Sequence, residues 1–155
     1  MANNQIQHKL LSCEQTFTLA STVPAAISAI SEYIEYLENW MKLLLTYDKV
    51  IFQICLSLDE LLTNIVKHGF RGEPGHQINI VVEKHINFFQ IKICDQAPEF
   101  NPLLVLDSNT NASLEEREIG GLGIHLIKNS VDQFEYERID NQNKVTLKKN
   151  IHQKT

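Results

Sequence analysis

A polar stripe runs along a segment that is otherwise apolar at nearly every turn. Between Ser57 and Gly69 the chain carries Leu58, Leu61, Leu62, Ile65 and Val66, as a helix lying in a core would. Gln53, Ser57, Glu60, Asn64 and Lys67 recur at three- or four-residue steps and therefore share one helical face. A carboxylate, an amide and a cation stacked along a largely buried helix are costly unless something polar meets them. A solvent-filled cleft, a metal and a phosphorylated ligand are the candidates. The rest of the chain has to fold so as to leave that face accessible.

Composition narrows the setting. A chain of 155 residues is a single domain by length, large enough to bury roughly 70% of its unfolded surface. Hydrophobic content of 43% and charged content of 21% are those of a soluble globular protein. A formal net charge of -5 argues against a nucleic-acid binder, which carries a basic face. No run of eighteen apolar residues predicts a membrane span. The start, Met1-Ala2-Asn3-Asn4-Gln5, lacks the basic and then apolar layout of a signal peptide, so the expected location is cytoplasmic. Cys13, Cys55 and Cys94 are far apart and odd in number, which predicts reduced, mostly buried thiols. The six histidines show no zinc-ligand spacing.

Taken in order, residues 1–13 read as a flexible, frayed tail and 14–151 as the folded domain. Residues 15–19 alternate as a first strand. Ser21-Thr22-Val23-Pro24 reads as a helix start, with hydroxyl caps and a proline suited to the first turn. Ile27, Ile30, Ile34, Leu37, Met41 and Leu44 then keep helical spacing, with Trp40 beside them, as a core stripe. Asp48 is placed to cap the next helix, which carries the polar stripe and stops at Gly69. Residues 70–76 are a loop, and 77–84 and 88–95 alternate as antiparallel strands. Residues 101–119 lack apolar periodicity and read as a lid. A helix follows Gly120-Gly121-Leu122-Gly123, and 133–138 and 144–150 form a hairpin around Asp140-Asn141-Gln142-Asn143. The predicted class is α+β: a two-layer sandwich whose mixed, mostly antiparallel sheet is covered on one face by helices.

Three local features carry chemistry, and each has a plainer reading beside it. Three glycines in four residues before a helix leave free N–H groups and the positive dipole end outward, a phosphate site, or they serve only as a tight loop-to-helix turn. Asp95 ends a strand, where its carboxylate would accept from an exocyclic amine such as that of adenine, or would cap the loop. Glu60 and Asn64, four apart, point the same way. Asn offers a neutral oxygen to Mg²⁺, and Glu one turn earlier would orient or deprotonate a hydroxyl; alone, they are a polar stripe on an amphipathic helix.

Together these features resemble a known family. Glu60-Leu61-Leu62-Thr63-Asn64-Ile65-Val66-Lys67-His68-Gly69 is similar to the N-box of the GHKL ATPases, whose structure is the Bergerat ATP-binding fold. Asp95-Gln96-Ala97-Pro98-Glu99-Phe100-Asn101-Pro102 resembles their Asp-x-Gly-x-x-Phe box, and Gly120-Gly121-Leu122-Gly123-Ile124 their second glycine box. The short lid and lone domain are most similar to the anti-sigma-factor serine/threonine kinases (RsbW type), over about residues 15–150.

The resemblance implies Glu60 as catalytic base and Asn64 as the Mg²⁺ ligand, with Lys67 and His68 near the phosphates. It implies Asp95 as receiver of the adenine amino group, with Ala97 and Phe100 in the same box. Gly120 to Ile124 would frame the triphosphate, and Thr146 would support the adenine pocket through water. One departure stands out: Ala97 occupies the place of the box glycine. Glycine permits positive φ and close backbone approach, whereas alanine before Pro98 is confined largely to extended conformations. The implied function is ATP-dependent phosphorylation of a serine or threonine on an anti-sigma factor antagonist, a STAS domain. A sigma factor is the competing partner, and homodimers are usual in the family. A catalytically silent, nucleotide-gated interaction module is the alternative; Ala97 favours it, and the intact Glu60 and Asn64 favour the kinase.

Overall fold

The structure, a computed structural model, describes residues 4–105 and 121–151. Eleven segments follow one another: β1 (Gln7–Cys13), β2 (Thr16–Pro24), α1 (Ile27–Leu44), α2 (Asp48–Asn64), a π-helical turn (Ile65–Gly69), β3 (Gln77–Lys84), β4 (Phe88–Asp95), a 3₁₀ turn (Pro102–Leu104), α3 (Gly121–Ser130), β5 (Gln133–Ile139) and β6 (Gln142–Asn150). The six strands form one sheet in the order β1-β2-β3-β4-β6-β5. Every neighbouring pair is antiparallel, so the sheet is not mixed. Short hairpins impose this on β1–β2, β3–β4 and β5–β6, since a parallel pair needs a long crossover.

One face of the sheet is buried. Register aligns Leu19, Val82, Ile91, Leu147 and Phe134 across five strands, and a second row sets Ile80, Ile93, Val145 and Tyr136 side by side. Helix α1 presents Ile30, Tyr33, Leu37 and Met41 to the core, at the spacing of one helical face. Helix α2 contributes Val50, Ile51, Ile54, Leu58, Leu61 and Leu62, and α3 contributes Ile124 and Ile127.

Four expectations need correction. Residues 7–13 are not a frayed tail but an edge strand. Their side chains are all exposed, so no burial period betrays them. What holds them is pairing to β2, His8 Nδ1 at 2.9 Å from Ser21 Oγ, and the His8 ring stacked on Tyr36 at 3.9 Å. The hydroxyls of Ser21 and Thr22 do not cap a helix: β2 runs on through Pro24, pairing with Gln77, and α1 begins at Ile27. Proline is tolerated there because it ends the strand. Asp48 is the first helical residue rather than the cap, a place its charge suits. Finally, Asn143 leaves the final turn for the strand. The turn is Asp140-Asn141 alone, at φ 51° and 59°, the left-handed pair of a two-residue hairpin. Of the thiols, Cys55 is buried and Cys94 half-buried, but Cys13 is exposed.

Candidate functional site

The polar face of α2 looks towards the end of β4 on one side and the start of α3 on the other. On the α3 side, Gly123 lies against Glu60. A methyl group built on Gly123 would run into the Glu60 carboxylate, with Cδ at 3.3 Å and Asn64 Nδ2 at 3.8 Å. The third residue of α3 is therefore glycine for a steric reason. A backbone without Cβ lets the first turn of this helix, with its outward N–H groups, approach the carboxylate and amide without turning Glu60 aside.

On the β4 side, Leu61, Asn64, Ile65 and Gly69 face Asp95, Ala97, Pro98, Phe100, Asn143 and Val145 across a pocket. The open space between them is about 30 Å³ and reaches solvent at a rim. Phe100, 40% exposed, forms that rim. Asp95 is 4% exposed. Its Oδ1 accepts from the Ala97 N–H and from Asn143 Nδ2, both at 2.9 Å. Its Oδ2 accepts no hydrogen bond among the described residues, which leaves an acceptor for a ligand. Burial pushes the Asp95 carboxyl above its usual range, opposed by the bonds from Asn143 and Ala97 and by the charge of Arg138.

Ala97 fits without strain. It is 2% exposed, and positive φ among non-glycine residues falls on Glu14, Arg71, Asp140 and Asn141 instead. Space for its methyl comes from Gly69, where an added Cβ would stand 2.9 Å from that of Ala97. The alanine is thus matched by a glycine across the pocket.

Other expected positions fall differently. Lys67 and His68 lie on the π-helical turn, both exposed, outside the pocket lining. Such a turn inserts one extra residue per turn and re-aims the side chains after it. Leu122 is 63% exposed and Ile124 1% exposed, so Ile124 belongs to the core rather than to a ligand contact. Gly121 opens α3, while Gly120 and residues 106–119 of the expected lid lie outside the described residues. Thr146 is not on the pocket side. Strand alternation turns Asn143, Val145 and Leu147 towards the helices, and Thr146, paired with Lys92 and Glu135, towards the opposite face. Asn143 takes the inward place instead, directly opposite Asp95 in the register. The signal was present in the sequence: counting back by two from Leu147 and Val145 puts Asn143 on the buried face.

No cluster of three or more His, Cys, Asp or Glu side chains able to hold a metal occurs among the described residues. A lone amide oxygen at Asn64 suits Mg²⁺, which takes few protein ligands and completes its shell with phosphate and water. The glycine-made gap beside Asn64 and the free Asp95 oxygen both fit a nucleotide. No helix among the described residues is long and apolar enough to cross a membrane.

The chain is 29% identical over 136 residues to the serine/threonine-protein kinase BtrW of Bordetella bronchiseptica, covering 85% of this chain and 90% of that one. Its fold is similar to that in the crystal structure of the SiaB–SiaC complex from Pseudomonas aeruginosa, with a TM-score of 0.59 and 14% identity over 85% of this chain and 88% of the other. Residues 23–149 match the family of the histidine kinase-like ATPase domain, which spans all three boxes. The expected GHKL membership holds, and the chain belongs to the histidine kinase-like ATPase domain family.

Proposed function

We propose that the protein is an ATP-dependent protein serine/threonine kinase that works by partner switching. Its substrate is a serine or threonine on an anti-sigma factor antagonist of the STAS type, with a sigma factor competing for the same protein. The observation that carries this reading is the Glu60 carboxylate held against Gly123 at the first turn of α3, with Asn64 one helical turn along. In this reading the carboxylate meets a hydroxyl beside phosphate groups bound at the N-terminus of α3. The similarity to a relative named as a serine/threonine-protein kinase supports the choice of acceptor.

In this reading Asp95 Oδ2 accepts from the exocyclic amine of adenine, and the backbone at the start of α3 receives the phosphates. Glu60 takes the proton of the attacking hydroxyl as its oxygen bonds to the γ-phosphorus, and the bond to the bridging oxygen breaks to release ADP. Asn64 would hold Mg²⁺, which supplies charge neutralisation on the phosphates. Catalysis is then mainly positioning and electrostatics. The negative φ of Ala97, a conformation that alanine adopts without strain, supports the kinase over the alternative, a catalytically silent module.

Glu60→Gln keeps the shape of the side chain and removes the base. It is expected to bind ATP with unchanged affinity and to transfer phosphate from labelled ATP to the cognate antagonist at least about a hundredfold more slowly. Undiminished transfer by this variant would take Glu60 out of the role. Asn64→Ala is expected to abolish the difference in nucleotide affinity with and without magnesium, measured by calorimetry.

A further inference from the structure

One buried amide ties together Asp95, Ala97, Pro98 and Phe100 in the pocket wall opposite α2. Asn143 is 5% exposed. Its Nδ2 donates to Asp95 Oδ1 at 2.9 Å, to the Pro98 carbonyl at 3.1 Å and to the Ala97 carbonyl at 3.2 Å. Its Oδ1 accepts from the Tyr136 hydroxyl at 2.8 Å and from the Phe100 N–H at 3.3 Å. All three partners of the nitrogen are acceptors, and both partners of the oxygen are donors. The amide therefore has one orientation that satisfies it. Arg138, cross-strand from Asn143, adds a bond from Nη1 to the Ala97 carbonyl at 2.9 Å.

We infer that Asn143 is the positioning residue of the base pocket: it fixes the Asp95 carboxylate and the 97–100 loop in the arrangement that admits adenine. Two consequences arise from the bond pattern. With Oδ1 of Asp95 taken by Asn143 and Ala97, only Oδ2 is left to meet a ligand, and it accepts only. A base offering an amine there is favoured, and one offering a carbonyl, as guanine does, faces an acceptor with an acceptor. Second, the Phe100 rim is tied to Asp95 through the same amide, so the place of the rim is coupled to the setting of Asp95. No aspartate can replace Asn143, because its oxygens cannot donate to the three acceptors.

This inference rests on the proposed nucleotide site, and the experiment separates the two. ATP and GTP affinities are measured by calorimetry for the wild type, Asn143→Asp and Tyr136→Phe, each checked for fold by circular dichroism and thermal melting. The wild type is expected to prefer ATP; a wild type that binds neither nucleotide overturns the site itself. Asn143→Asp sets two carboxylates side by side, with Arg138, Tyr136 and Glu99 as the neighbouring ionisable groups. It is expected to bind ATP roughly tenfold or more weakly at pH 8. The loss should shrink towards pH 6, where one proton shared by the pair restores a donor to Asp95. Tyr136→Phe removes one bond to the amide and is expected to raise the KM for ATP a few-fold with kcat unchanged. A folded Asn143→Asp that binds ATP as the wild type does, or with a pH-independent loss, overturns the positioning role.

Discussion

Asp95 keeps a charge where its surroundings resist one. Burial raises its carboxyl above the ordinary range, and the donors at Ala97 and Asn143 recover only part of that. A raised folded-state value means that the group favours folding at acid pH. That contribution is lost as pH rises through the raised value, so at neutral pH the ionised Asp95 works against the fold. Asp95→Asn is therefore expected to melt at a higher temperature than the wild type at pH 7–8, an advantage that fades on acidification. The same change puts a donor where the ligand's amine needs an acceptor, so ATP affinity should fall at least about tenfold. Melting curves at several pH values and ATP titration measure both. A variant that is neither more stable nor weaker in binding contradicts the assignment of Asp95 as a buried, ligand-facing carboxylate. Stability given up at one residue for function is common at binding sites.

Elements meet at two glycines, and these set how far the site was legible. In the sequence the cluster at Gly120, Gly121 and Gly123 suggested phosphate binding through free amides alone. The structure gives Gly123 a second duty, as the gap through which α3 reaches Glu60. A methyl there meets the end of a flexible side chain, so Gly123→Ala should fold, and gain up to about 1 kcal/mol from helix propensity. It should turn the carboxylate aside and slow phosphate transfer on the order of tenfold to a hundredfold, with the thermal melt unchanged or raised. A variant both stable and fully active would show that the contact does nothing for chemistry. Gly69 is a harder case, since its added methyl meets the fixed Cβ of Ala97 at 2.9 Å. Gly69→Ala is expected to destabilise by about 1–3 kcal/mol, and Ala97→Gly in the same chain should restore most of it, as denaturant titration of the double-mutant cycle would measure. Sequence periodicity located α2, β3 and β4 because each has a buried and an exposed side. It failed for β1, which has no buried side, and it left Asn143 in a turn because polar residues near Asp140-Asn141 look like turn residues. Thr146 is three positions from Asn143, and in a strand an odd step reverses the face.

The whole molecule separates its two ends. The order β1-β2-β3-β4-β6-β5 puts Asp95 and Asn143 on adjacent strands and sets β1 three strands from β4, about 14 Å at the usual spacing between strands. Strand β1 buries no side chain and supports the rest through its pairing to β2 and the contacts of His8 with Ser21 and Tyr36. Removal of residues 1–13 should thus leave a folded protein with a lower melting temperature, since one ladder and one ring contact are lost and a new sheet edge at β2 is bared. The nucleotide site should not notice. A ligand at a hundred times its dissociation constant adds roughly 2.7 kcal/mol to a native state that alone binds it. In a domain of this size that raises the melting temperature by on the order of 5–10 °C. The full chain and the shortened one are expected to show the same ATP-induced rise from different starting temperatures. If the rise vanished while the shortened chain still folded, binding would depend on β1, and the pocket between α2, β4 and β6 would not be sufficient for it.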